Sequence, residues 1–155
     1  MKADLNTEIR DSFTEYLIKH DLRQTKERYV ILEHSYSLNK HFNMESLYTS
    51  LLEDKKFHVS KATLYNTIEL LVAARLVIRH QFGTMAVQYE KATDAATHHH
   101  LVCTHCGIIR EYKDDNLTQS VKSKKITKFT PEYYSLYIYG VCSKCKYALK
   151  RKETK

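Results

Sequence analysis

Residues 98–106 read HHHLVCTHC, four histidines and a Cys-x-x-Cys within nine positions. Imidazole nitrogens and thiolates are the side-chain donors that hold zinc and the first-row transition ions, so this stretch has the composition of a metal site. In an extended backbone, side chains alternate faces. His98 and His100 then converge on one side while His99 and Leu101 point to the other. Cys103 and Cys106 enclose Thr104 and His105, and Gly107 behind them permits the tight backbone that wraps two thiolates around one ion. The other half of such a site lies downstream in Cys142-Ser143-Lys144-Cys145, so all four cysteines fall into two Cys-x-x-Cys pairs. A four-cysteine zinc site is the expectation.

Other chemistries compete for these residues. Four cysteines could form two disulfides, but the opening MKADLNTEIRDSF is polar and has no secretory pattern, so we expect a reducing cytoplasm. A thioredoxin-like redox pair fits two matched pairs less well than chelation does. Covalent haem attachment needs Cys-x-x-Cys-His, whereas Gly107 and Lys146 follow the pairs. The histidine run could also be a polar turn.

The chain has 155 residues, 43% of them hydrophobic, enough for one domain or two small ones. No apolar run approaches the ~20 residues of a membrane span. The net charge of +7 suggests an anionic partner, but it is uneven: residues 1–92 carry +1 and residues 93–155 carry +6. Zn²⁺ with four thiolates would subtract two charges from the second part. Any case for DNA must therefore rest on local pattern.

Leu5, Ile9, Phe13, Tyr16 and Leu17 predict an amphipathic helix over the first twenty residues, ending near His20-Asp21. Thr25 is expected to cap a second helix with Tyr29, Val30, Ile31 and Leu32 as its apolar surface. Asn43 is expected to cap a third, with Met44, Leu47, Tyr48, Leu51 and Leu52 buried, closed by the loop EDKKFHV. Ser60 begins a fourth over residues 61–77, where Leu64, Ile68, Leu71 and Val72 form one stripe and Thr63, Asn66 and Leu70 face away, with Tyr65 at the edge. Two helices with small polar and aromatic groups outward form the helix-turn-helix arrangement that enters a major groove. The runs LVIRHQF and AVQYEKA predict a hairpin, hence a winged helix over residues 1–92, with a hinge at 93–97. In residues 98–155, IIREY reads as a strand, Leu117 and Val121 mark a helix, PEYYSLYIYG reads as a buried or interfacial strand, and KYALKRKETK as a basic, fraying tail. The fold class is α+β.

ATLYNTIELL, the HxHLVCTHCG stretch and the closing SLYIYGVCSKC together resemble the ferric uptake regulator family of bacterial metal-responsive repressors, over roughly residues 20–147. The resemblance implies a winged-helix DNA-binding domain, a hinge and an α/β dimerisation domain. It also implies a cytoplasmic homodimer that binds inverted-repeat operators in double-stranded DNA when loaded with metal. Cys103, Cys106, Cys142 and Cys145 match the family's structural zinc. His41, Glu90, His98, His100 and Glu111 match its regulatory site between the domains. That nitrogen and oxygen set suits Fe²⁺, Mn²⁺ or Zn²⁺ and is a poorer choice for Cu(I). Peroxide-sensing relatives carry aspartates in place of Glu90 and Glu111, which favours an iron sensor. Zinc-uptake, peroxide-responsive and haem-responsive regulators remain the alternatives within the family. The last is weakened because the only proline, Pro131, follows a threonine and not a cysteine.

Two departures bear on function. Many members have a further metal site whose ligands would fall at Thr97, His99, Thr118 and Tyr134, where only His99 is a good ligand, so that site is expected to be absent. Tyr65 is retained in the recognition helix, but the usual arginine after it is Asn66, which pairs with adenine rather than guanine. Arg23 is the expected minor-groove or phosphate contact, with Thr25 and Arg28 completing the basic pattern, and Lys61 is a second phosphate contact. No catalytic chemistry is required. A zinc hydrolase would need an open coordination position, and five candidate ligands without a HExxH helix leave little room for one.

Overall fold

The computed structural model describes residues 2–38, 41–83, 86–95 and 98–153. They divide into two units, residues 1–92 and 93–155. The first contains α1 (Lys2–Lys19), α2 (Lys26–Ser37), α3 (Met44–Lys55), α4 (Lys61–Ala73), β1 (Val77–His80) and β2 (Gln88–Lys91). The second contains α5 (Ala92–Ala95, which opens on the last residue of the first unit), β3 (His99–Cys103), β4 (Ile109–Tyr112), α6 (Asp115–Lys122), β5 (Tyr137–Gly140) and α7 (Ser143–Glu153).

In the first unit the periodic apolar residues become the core. Ile9, Phe13 and Leu17 of α1, Ile31 and Leu32 of α2, Leu47 and Leu51 of α3, and Leu64, Ile68 and Leu71 of α4 are all buried. Each fully buried side chain of this size is worth about 1.5–3 kcal/mol over its exposed state. Tyr29 and Val30, expected on the apolar surface of the second helix, are half-buried against this core, and so is Leu70, which was expected to face away. Asn43 and Ser46 form a reciprocal capping box at the start of α3, and Ser60 Oγ accepts from Thr63 N–H at 3.0 Å at the start of α4. Thr25 occupies the N-cap position of α2, but its side chain makes no capping bond.

Three of these helices stop in the same way. Asp21, Lys56 and Arg75 adopt left-handed backbone, at φ 52°, 48° and 60°. The next residue is apolar in each case. Leu22, Phe57 and Leu76 donate their N–H to the carbonyls of Leu17, Leu51 and Leu71, at 2.8, 3.2 and 2.9 Å, and rest against the core. This is the closing hydrogen bond and hydrophobic contact of a helix C-terminus, made here without glycine. It corrects the extent read for the fourth helix, which ends at Ala73 so that Val77 begins β1.

β1 and β2 pair antiparallel, Val77 with Lys91 through His80 with Gln88. Gly83, at φ 61°, helps turn the chain between them. A further rung joins them that no alternation in the sequence announces: Phe42 and Tyr89 exchange backbone hydrogen bonds at 2.9 and 2.7 Å, and their rings stack at 5.8 Å. The segment before α3 is thereby tied to β2.

In the second unit the sheet order is β4-β3-β5, with β3 antiparallel to β4 and parallel to β5. A parallel pair needs a crossover, and α6 lies in it, capped by Asp114 Oδ1, which accepts from Leu117 N–H at 2.9 Å. Only four residues of the segment read as a long strand pair, namely β5. The basic tail expected to fray is helical as α7, because Ala, Leu, Lys, Arg and Glu are all strong helix formers. The expected hinge is partly the one-turn α5, and its residues 96–97 lie outside the described positions. Among the described residues, no helix is long and apolar enough to cross a membrane.

Candidate metal centres and nucleic-acid face

The sheet of the second unit explains how cysteines far apart in sequence meet. Cys103 ends β3, and its register partner on parallel β5 is Gly140, two residues before Cys142. Gly107, at φ 70°, donates its N–H to Cys103 O at 2.9 Å and turns the chain so that Cys106 comes back beside Cys103. Cys145 lies in the first turn of α7, where Lys146 N–H donates to Cys142 O at 2.9 Å. The four sulfurs lie within 4.8 Å of one another, and Cys106 Sγ is 3.7 Å from Cys142 Sγ. Two sulfurs at tetrahedral corners, each about 2.3 Å from zinc, stand about 3.8 Å apart. The cluster therefore fits a zinc ion in both donor type and spacing.

Its electrostatics point the same way. Backbone N–H groups of Cys106 and Cys142 donate to Cys103 and hold its thiol at about 6. The Cys145 thiol, donating toward the Cys106 and Cys142 sulfurs, is held protonated and pushed up to about 12. Four sulfurs this close cannot all carry charge on their own, and a divalent cation is what deprotonates the whole set.

The histidines and acids fall into one group in each unit. In the first, the Phe42–Tyr89 rung carries His41 on one side and Glu90 on the other, and His41 Nε2 is 3.3 Å from Glu90 Oε2. That is the spacing of neighbouring ligands on an ion about 2.0–2.2 Å from each. Glu90 is only 4% exposed, and an acid is almost never buried to that degree without partners. In the second unit, His98 and His100 bring their rings to 4.8 Å, as alternation in an extended segment requires. Glu111 is the register partner of His100 on β4, and ligand atoms of His98 and Glu111 lie within 4.8 Å. Each group is a nitrogen and carboxylate set that fits a divalent first-row ion.

Sequence reasoning missed His80. It is fully buried, its Nε2 is 2.6 Å from Glu90 Oε1, and its ring stacks on Phe82 at 5.5 Å. The signal was available in the hairpin register, because His80 faces Gln88 and Glu90 lies two residues along on the same side of the ribbon.

His99, on the opposite face of β3, has different company. Its Nε2 is 3.4 Å from Thr118 Oγ1, and its ring is 6.1 Å from that of Tyr134. Thr97 lies outside the described residues.

The outward side of α4 presents Tyr65, 51% exposed, and Asn66, also exposed. Thr63 is half-buried, its hydroxyl 2.9 Å from Ser60 Oγ. Lys61 is exposed, with Nζ 5.6 Å above the Tyr48 ring. Arg23 is exposed, and its carbonyl accepts from Arg28 Nη1. An open groove of ≈ 400 Å³ between the starts of α2 and α4 is lined by Thr25, Arg28, Ser60, Thr63 and Asn66, among others.

A family model described as the ferric uptake regulator family matches residues 19–139. The ferric uptake regulation protein of Campylobacter jejuni subsp. jejuni is 31% identical over 137 residues, covering 87% of each chain. Among solved structures, the Vibrio cholerae ferric uptake regulator matches with a TM-score of 0.59 at 31% identity, covering 83% of this chain and 98% of that one. The Helicobacter pylori ferric uptake regulator, whose structure is described as revealing three functional metal binding sites, matches in fold with a TM-score of 0.68 at 20% identity, covering 91% and 93%.

Proposed function

Because this chain belongs to the ferric uptake regulator family, whose members are transcriptional regulators and not enzymes, we propose that it is a cytoplasmic, homodimeric, Fe²⁺-responsive repressor of metal-uptake genes. Its structural metal is Zn²⁺ on Cys103, Cys106, Cys142 and Cys145. Its regulatory metal is held by His41 and Glu90 of the DNA-binding unit, residues 1–92, together with His98, His100 and Glu111 of the dimerisation unit, residues 93–155.

What supports this reading is that each unit carries a nitrogen and carboxylate group suited to the same kind of ion. His41 and Glu90 hang from the same hairpin rung beside the helix-turn-helix, and His98, His100 and Glu111 sit on two strands of the other unit. A single ion taking ligands from both favours one arrangement of the units, and so one separation of the two recognition helices in a dimer. The ion biases the equilibrium only by its preference for that arrangement; a preference of ~100-fold supplies about 2.7 kcal/mol. Zn²⁺ and Mn²⁺ suit the same ligands, and the choice of glutamate at positions 90 and 111 favours iron over peroxide sensing.

Dimerisation is supported by the surface of the second unit. Phe129, Tyr133, Ile138 and Tyr139 are large side chains left 43–65% exposed, and exposed apolar surface is what a partner subunit covers. Operator DNA is the partner of α4, through Tyr65, Asn66 and Thr63, with Lys61 and Arg23 on phosphates or the minor groove.

Binding of an inverted-repeat operator, titrated anaerobically with Fe²⁺, Mn²⁺ and Zn²⁺, tests the whole reading. We expect metal-dependent binding with Fe²⁺ effective at the lowest free concentration that a cell maintains. Binding that ignores all three ions would refute it. Base reading has its own test. Tyr65→Ala should weaken operator binding by about 1–3 kcal/mol, a typical base contact, and Asn66→Arg should move the preferred base from adenine toward guanine. Selection from a random DNA pool measures both. An identical preferred sequence for wild type and Asn66→Arg would remove residue 66 from the base-reading set.

A further inference from the structure

We propose that His80 is a positioning residue of the regulatory metal site, holding one oxygen of Glu90 so that the other is presented to the ion. This rests on the assignment of Glu90 as a ligand.

The geometry divides the carboxylate. Oε1 is 2.6 Å from His80 Nε2, a hydrogen-bond length too short for two atoms sharing one ion as cis ligands, which stand about 3 Å apart at bond lengths near 2.1 Å. Oε2 is 3.3 Å from His41 Nε2, the separation that two such ligands do have. His80 therefore acts on the carboxylate and His41 acts beside it. The imidazole is in turn fixed. It is fully buried, stacked on Phe82 with 13° between the rings, and it lies 5.7 Å from the His41 ring. Its place on β1 is set by the hairpin register, which brings it diagonally opposite Glu90.

Two effects follow. A carboxylate with one oxygen engaged binds an ion through the other alone, so Glu90 contributes one coordination position and leaves more for the histidines and Glu111. A buried carboxylate that accepts a hydrogen bond is also restrained before the ion arrives, which lowers the ordering cost of binding. Outer partners of this kind are worth roughly 10–100-fold in metal affinity.

Gln at position 80 can place an N–H where Nε2 stands, Asn is too short to reach, and Leu fills the space with no donor. In the full-length, zinc-loaded protein, Mn²⁺ affinity should fall roughly 10–100-fold for His80→Leu and His80→Asn. His80→Gln should stay within about 3-fold of wild type, in keeping with a restored outer-shell hydrogen bond. Co²⁺ bound at the regulatory site should give the same visible spectrum in His80→Gln as in wild type, because the ligand atoms are unchanged. Wild-type affinity in His80→Asn, or an affinity in His80→Gln as low as in His80→Asn, would overturn the proposal. So would an altered Co²⁺ spectrum in His80→Gln, which would make His80 itself a ligand. Should His80→Leu not fold, the Asn and Gln pair decides. Glu90→Ala provides the separate control: if it binds Mn²⁺ as wild type does, the regulatory-site assignment fails, whatever His80 does.

Discussion

Cys103→Ser or Cys142→Ser should lose the zinc and, with it, the folded second unit and the dimer. A structural zinc contributes about 10–16 kcal/mol in small metal-folded domains, as much as or more than the roughly 5–15 kcal/mol that separates a typical domain from its unfolded chain. The unit has little else to draw on. Among its described hydrophobic residues only Val102 and Cys103 are buried, while three of the four residues of β5 are exposed. Serine keeps the size of cysteine and removes the soft anionic donor, so the loss reports coordination and not packing. The first unit has its own buried core and should keep its helices. Sedimentation velocity, circular dichroism and elemental analysis read the three parts separately. A stable, dimeric, zinc-free serine variant would remove the cysteines from the structural role.

The fully loaded protein should carry two ions per chain, one zinc that survives mild chelation and one exchangeable ion. The count depends on His99. Its neighbours are hydroxyls, Thr118 at 3.4 Å and the Tyr134 ring at 6.1 Å, which are poor ligands beside carboxylate or imidazole. The nearby carboxylate of Asp114 is already engaged: Oδ1 accepts from Leu117 N–H and Oδ2 from the Tyr112 hydroxyl. Elemental analysis before and after dialysis against a chelator gives both numbers. His98→Ala or Glu90→Ala should reduce the first count from two to one, leave the chelation-resistant zinc, and abolish metal-stimulated operator binding. Three tightly held ions would show that the hydroxyls around His99 do bind metal. One ion with metal-responsive DNA binding intact would place the sensor elsewhere.

The sequence was informative where a local rule suffices. Ile9, Phe13 and Leu17, or Leu64, Ile68 and Leu71, declare a helix by spacing alone, and Asn43 and Ser60 declare its start by side-chain chemistry. The paired cysteines declare their site because two Cys-x-x-Cys segments with no cysteine left over have few other uses. What was hidden depended on pairings between segments. The Phe42–Tyr89 rung is a single residue long on each side and has no alternation to read. His80 looked like one polar residue in an apolar strand until the hairpin register set it beside Glu90. The end of α4 was missed because a left-handed Arg75 does what glycine usually signals. α7 was missed because its charged surface resembles a solvated tail, while its first turn is held by the second cysteine pair.

The parallel pairing of β3 with β5 also bears on the order in which the chain assembles. The wing closes between residues 8 to 14 apart, whereas β5 must find a partner 37 residues upstream, and Cys142 N–H reaches Cys103 Sγ across 39. Closing the longer loop costs more entropy before any contact offsets it, and such non-local pairings form slowly. The β1–β2 hairpin can thus close early, while the second unit waits for its last two cysteines to arrive together. On the proposed zinc assignment the ion would act as an assembly reagent for the second unit, and a chain made without it would lack the clamp that joins the end of β3 to the start of α7.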